Sequence, residues 1–106
     1  MKRVKRRYLA LKIESDDLPS AKDFVQAVWS AVTKLYGEHG ASLTNLALIN
    51  YDLEKKTAVI RTSLATLNLV RASLATITSL AGNEAAVQVT AVSGTIKSIK
   101  QRTKQQ

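Results

Sequence analysis

The sequence predicts an α+β domain of ferredoxin-like (RRM-like) pattern: a β-α-β-β-α-β two-layer sandwich. Its four-stranded antiparallel sheet has the order 4-1-3-2, with the helices on one face. Three observations predict it. Two short stretches, near the two ends of the chain, alternate apolar and polar residues with period two, and two more read as strands joined by a hairpin. Two longer stretches between them carry apolar residues at helical spacing. Turn-forming residues punctuate the boundaries. With 106 residues and no cysteine, the chain reads as one domain over 1–106 around one core. Disulfide frameworks and thiolate metal sites are excluded.

The first strand is Arg7–Glu14, where Leu9, Leu11 and Ile13 alternate with Tyr8, Ala10, Lys12 and Glu14. Ser15-Asp16-Asp17-Leu18-Pro19 is turn chemistry and ends it. Ser20 reads as an N-cap with Asp23 in the capping-box position. A helix follows to about Tyr36, stopped by Gly37. Phe24, Val25, Val28, Ala31, Val32 and Leu35 form its apolar arc, with Trp29 and Tyr36 at the edge. Glu38–Asn45 reads as loop. Leu46–Tyr51 and Thr57–Thr62 are strands joined by the charged hairpin Asp52–Lys56, which contains no glycine. Ser63 starts a second helix that runs to about Ala81, with Gly82 after it. Ala86–Val92 is the fourth strand, Ser93-Gly94 breaks it, and Thr95–Thr103 reads as a short, frayed, basic helix.

Charge is the informative part of the composition. The chain carries 16 Lys and Arg against 8 Asp and Glu, a net charge of +8. Residues 1–13 and 85–106 contain basic residues and no acid, so the slightly acidic remainder is flanked by basic termini, residues 1–7 and 96–106. In the order 4-1-3-2, the start of strand 1 and the end of strand 4 emerge at the same end of the sheet. The loop after the first helix and the turn Arg61-Thr62-Ser63 belong to that end too. Charge collected this way points to a polyanion partner. The candidate contacts are Lys2, Arg3, Lys5, Arg6, Arg7, Arg61, Ser93, Gly94, Lys97, Lys100 and Arg102. Engagement of about five to eight phosphates would give a log–log salt slope of about −4 to −6. Base stacking on the sheet is disfavoured, because strand 3 has no aromatic residue and strand 1 offers only Tyr8. Recognition of backbone and shape in a folded RNA is the better reading.

The second helix carries one charge, Arg71, and is apolar on two sides. Leu67, Val70, Leu74, Ile77 and Ala81 make a core stripe. Ala65, Leu69, Ala72, Thr76 and Leu80 are candidates for a protein interface. No catalytic or metal-binding constellation is found: His39 is the single histidine, and Asp16-Asp17 reads as turn and helix-start chemistry. No apolar stretch approaches a membrane span, and no apolar signal core follows the basic start. An intracellular protein is expected. A ferredoxin-like protein-interaction or small-ligand regulatory module with incidental basic tails is the competing reading.

Five motifs in order carry a resemblance: Arg6-Arg7-Tyr8-Leu9; Val28-Trp29-Ser30-Ala31 with Leu35-Tyr36-Gly37-Glu38-His39-Gly40-Ala41-Ser42; Tyr51-Asp52 with Ile60-Arg61-Thr62-Ser63; Val70-Arg71-Ala72-Ser73-Leu74; and Val92-Ser93-Gly94-Thr95-Ile96-Lys97. Together the chain resembles the family of ribonuclease P protein component 2, the Pop-five subunits, in its compact archaeal form. The resemblance implies a non-catalytic, RNA-binding subunit of the ribonucleoprotein that cuts the 5′ leader from precursor tRNA. It implies ribonuclease P RNA and precursor tRNA as partners, with catalysis by the RNA and its magnesium ions and no cofactor on this chain. It further implies pairing with ribonuclease P protein component 3, assembly of two such pairs through a homodimer, and a cytoplasmic location (nuclear or nucleolar in a eukaryote).

Overall fold

The central strand, β1 (Arg6–Ser15), buries Leu9, Leu11 and Ile13 on one face, each at most 1% exposed. The computed structural model describes residues 5–104. β1 pairs antiparallel with β3 (Thr57–Ser63) and with β5 (Asn83–Ser93), and β2 (Ala47–Asp52) extends the sheet beyond β3. α1 (Ala21–Ser42) and α2 (Leu67–Ala75) cover the face that carries Leu9, Leu11 and Ile13. Phe24, Val28, Val70 and Leu74 fill the space between them. A 3-10 turn, Leu64–Thr66, leads into α2.

The sheet has five strands rather than the expected four. β4 (Ser79–Leu80) pairs with the start of β5 at the edge, giving the order β2-β3-β1-β5-β4. The four expected strands keep their relative order within it. The addition arises because α2 ends at Ala75 instead of running to Ala81. Thr76 turns back on the last helical turn: its N–H and its hydroxyl both donate to the Ser73 carbonyl, at 3.1 and 2.6 Å. The β-branched run Thr76-Ile77-Thr78 then favours extended chain. Ala81 and Gly82, with φ of 50° and 83°, make the tight turn that feeds β5, so Gly82 closes a hairpin rather than a helix.

Two further expectations are corrected. The chain does not become loop after Gly37. That residue has φ 77° and ψ 173°, which kinks α1, and the helix resumes to Ser42. A side chain at Gly37 would be strained in this left-handed region. A β-carbon at Gly40 would stand 2.8 Å from the Tyr36 β-carbon, so the resumed turn packs back on the first segment only without one. Leu35, expected in the core arc, is 48% exposed. With α2 cut short, it borders an open groove of about 360 Å3 shared with Thr76–Ser79.

The helices also do not all lie on one face. α3 (Ile96–Lys104) crosses the outer face of the sheet, where Ile99 is fully buried against Ala10 and Val59, with Tyr8, Ile49 and Ala91 around it. The glycine-free hairpin closes by other means. One Asp52 carboxylate oxygen accepts from the N–H groups of Glu54 and Lys55, both at 3.0 Å, and Lys56 takes φ 56°.

Candidate nucleic-acid interface

Antiparallel register brings the basic candidates together. On β1, Arg6 lies opposite Ser63, Arg7 opposite Thr62, and Tyr8 lies between Arg61 and Ser93. The Lys5 carbonyl accepts from the Leu64 N–H at 2.7 Å, which ties the incoming chain to the turn after β3. Arg7 Nη1 donates to the Arg6 carbonyl at 2.9 Å. The same guanidinium lies against Gly94: a β-carbon there would be 3.5 Å from Nη1. Residues 87 positions apart in sequence therefore share one rim of the sheet. α3 starts from that rim, its first turn capped by Thr95 Oγ1, which accepts from the Ser98 N–H at 3.2 Å. Lys97 and Lys100 are exposed on this helix.

Ser93 ends β5 at the break before α3. It is 8% exposed, and its hydroxyl accepts from the Thr95 N–H at 3.4 Å, shaping the turn into α3. Lys2 and Arg3 lie outside the described residues, as does the Arg102 side chain. The structure thus assembles Lys5, Arg6, Arg7, Arg61, Gly94, Lys97 and Lys100 around one end.

Beneath this rim lies a buried hydroxyl joint that sequence reading missed. Thr62 Oγ1 donates to the Thr44 carbonyl at 3.1 Å, and Ser63 Oγ donates to the Leu43 carbonyl at 3.0 Å. Thr66 Oγ1 lies 2.6 Å from Ser63 Oγ, within hydrogen-bond distance, and 3.3 Å from the Ser63 carbonyl, to which it can donate. The Ser63 N–H adds a bond to the Thr44 carbonyl at 2.8 Å. The joint fastens the end of α1 to the end of β3 and holds the backbone opposite Arg6 and Arg7. Its one visible signal in the sequence is the cluster of hydroxyl residues at Thr44, Thr62, Ser63 and Thr66.

Arg61 projects from the outer face of the sheet, on the Tyr8 side. It is half-buried, and its Nε is closed to solvent with no hydrogen-bond partner. A buried N–H left in that state costs about 1–3 kcal/mol.

The residues expected to form an interface on the second helix divide between core and surface. Leu80 sits on β4 and is 1% exposed, in the core, and Leu69 is half-buried against the same core. Leu80 leaves the helix because α2 ends at Ala75, whereas Leu69 stays on α2 and leans on the core. Ala65, Ala72 and Thr76 are exposed, but they are small. The large exposed apolar side chains lie instead on α1 and its end: Trp29, Leu35, Tyr36 and Leu43. His39 is exposed on the turn after Gly37, and its carbonyl accepts from the Ser42 hydroxyl at 2.7 Å. Among the described residues, no three His, Asp or Glu side chains converge as metal ligands would. No helix there is long and apolar enough to cross a membrane.

This architecture has a solved counterpart. A chain in the cryo-EM structure of yeast ribonuclease MRP matches it with a TM-score of 0.72 and 18% identity, covering 99% of this chain and 95% of that one. The protein is therefore of that α+β class, with a central antiparallel sheet and helices against it.

The sequence then gives the family. The model of the Rpp14/Pop5 family matches residues 7–104. Ribonuclease P protein component 2 of Pyrococcus furiosus is 33% identical over 100 residues, covering 94% of this chain and 83% of the relative. The protein of the same name from Methanosarcina mazei is 34% identical over 95 residues, covering 90% and 80%. The chain belongs to the Rpp14/Pop5 family. Its curated archaeal relatives are components of ribonuclease P.

Proposed function

We propose that the chain is a non-catalytic, RNA-binding subunit of ribonuclease P. In this reading it supports the catalytic RNA that removes the 5′ leader from precursor tRNA. Magnesium ions act with that RNA. The observation that carries the RNA-binding part is the rim: Lys5, Arg6, Arg7 and Lys97 share one end of the fold, and Glu38 is the only carboxylate on the segments that reach it. Protein subunits belong to the proposal as well. The exposed Trp29, Leu35 and Tyr36 of α1 give an apolar surface for the partners that the resemblance implies, component 3 and a second copy of this chain.

The test is capture of the tagged chain from its source cells. The eluate is expected to cleave precursor tRNA at the mature 5′ end, with the activity lost after digestion of the bound RNA. The purified chain alone is expected to cleave nothing. Cleavage that survives RNA digestion, or an eluate with no RNA in it, overturns the proposal.

A further inference from the structure

We infer that Tyr8 and Arg61 form a phosphate-binding subsite on the outer face of the sheet, beside α3, which holds one phosphate of an RNA strand continuing from the rim. This rests on the RNA-binding reading above and adds a second surface to it.

The two residues lie directly opposite each other on β1 and β3, so their β-carbons are about 5 Å apart. Both offer donors. Arg61 Nε is shut away with no acceptor, and the Tyr8 hydroxyl makes no hydrogen bond among the described residues. The surrounding register positions supply no carboxylate: Ala47, Ser93, Arg6 and Ala10 flank the pair. Glu14, on the same face of β1, is six residues along the strand, about 20 Å away.

The terminal nitrogens of the Arg61 guanidinium, next to a phenol, suit a tetrahedral oxyanion that accepts from both, while Nε, closed to solvent, takes no part in the contact. The apolar cluster of Ala10, Val59 and Ile99 borders the pair and lowers the local polarity, which strengthens such a contact. Continuity with the rim selects an RNA strand over a free phosphate. Arg6 lies two residues before Tyr8 on the same face, a step of about 7 Å, comparable to the step between neighbouring phosphates of one strand. The phosphate, rather than a base, is the group held. That agrees with the absence of any aromatic residue on β3.

The test uses the full chain and ribonuclease P RNA of its source organism. Arg61→Lys keeps the charge but loses the fork. It is expected to bind roughly tenfold more weakly with an unchanged salt slope. Tyr8→Phe, which removes only the hydroxyl, is expected to weaken binding by about threefold. Arg61→Met is expected to bind most weakly of the three, yet to melt at an equal or higher temperature, because it removes a buried donor with no acceptor. With RNA carrying single ethylated phosphates, wild type should show interference at one phosphate where Arg61→Met shows none.

Three results overturn the inference. In one, Arg61→Lys and Tyr8→Phe bind as wild type does. In another, Arg61→Met lowers the melting temperature and leaves affinity unchanged, which marks a structural arginine. In the third, inorganic phosphate raises the melting temperature of wild type alone while all variants keep their RNA affinity, which marks a site for free phosphate. If these occur while neutralised rim residues still lose RNA affinity, the RNA-binding reading stands and only the sheet-face subsite falls.

Discussion

The two ends of the sheet are built from the same strands and differ in their charge. At the rim, Lys5, Arg6, Arg7, Lys97 and Lys100 gather around the ends of β1, β3 and β5, and Glu38 is the only acid on the connecting segments. At the opposite end lie Glu14, Asp16, Asp17, Asp23, Asp52, Glu54 and Glu84. There Lys12, Lys55 and Lys56 share an open cleft of about 570 Å3 with Glu14, Asp16 and Glu84. Lys56 Nζ is also used internally, donating to the Ser15 carbonyl at 2.6 Å. The net +8 is therefore not a property of the surface as a whole. Antiparallel pairing sorts it, because the chain enters and leaves the sheet at one end and makes its acidic turns at the other. The comparison teaches that similar lysines have different prospects. Those at the opposite end have several carboxylates nearby, whereas the described segments that reach the rim carry one acid, Glu38, so the rim is where positive potential gathers.

The largest effect that sharpens this comparison is expected from Ile99→Ala. Ile99 is the fully buried side chain of α3, and its truncation should cost about 2–4 kcal/mol of stability. It should also loosen the placement of Lys97 and Lys100, lowering RNA affinity by roughly three- to tenfold. Urea unfolding and filter binding measure the two effects. Loss of stability with no loss of affinity would show that α3 plays no part in the rim.

A smaller effect, confined to stability, is expected at the other end. Tyr51 stacks on Phe24 with ring centroids 5.1 Å apart, and its hydroxyl donates to the Pro19 carbonyl at 2.7 Å. Tyr51→Phe should cost about 1 kcal/mol and leave RNA affinity unchanged. Burial raises the Tyr51 pKa above its ordinary 10.0. The unfolded chain therefore releases this proton at lower pH than the folded one. The associated stability is fully present below about pH 10 and is lost as pH rises through the folded value. Unfolding curves taken across that range should fall for wild type, and Tyr51→Phe should lack this component.

Much of the fold was legible because Leu9, Leu11 and Ile13 alternate with more polar neighbours on β1, and this set coincides with the core. β4 was not legible, since a two-residue strand carries no period. Its residues also continued the apolar spacing of α2, while the Thr76 hydroxyl that ends the helix acts through one local hydrogen bond. The docking of α3 had a faint signal: Ala10 and Val59 are apolar on strand faces that would otherwise meet solvent, and Ile99 is apolar among lysines. The rim was legible from charge plus strand order. The unpaired Arg61 Nε and the hydroxyl joint were not, because both depend on solvent exclusion by segments distant in sequence. The burial of Leu80 was not legible for the same reason that the length of the second helix was overestimated.

The central claim is that polyanion binding belongs to the rim and not to the net charge. The direct measurement is the salt dependence of binding to ribonuclease P RNA for two triple variants of equal charge change. One is Arg6→Gln, Arg7→Gln and Lys97→Gln; the other is Lys12→Gln, Lys55→Gln and Lys56→Gln. The account predicts that the log–log slope of the rim variant becomes shallower by about two to three, while the slope of the second variant stays at the wild-type value. Equal changes in both variants, or the larger change in the second, would contradict it.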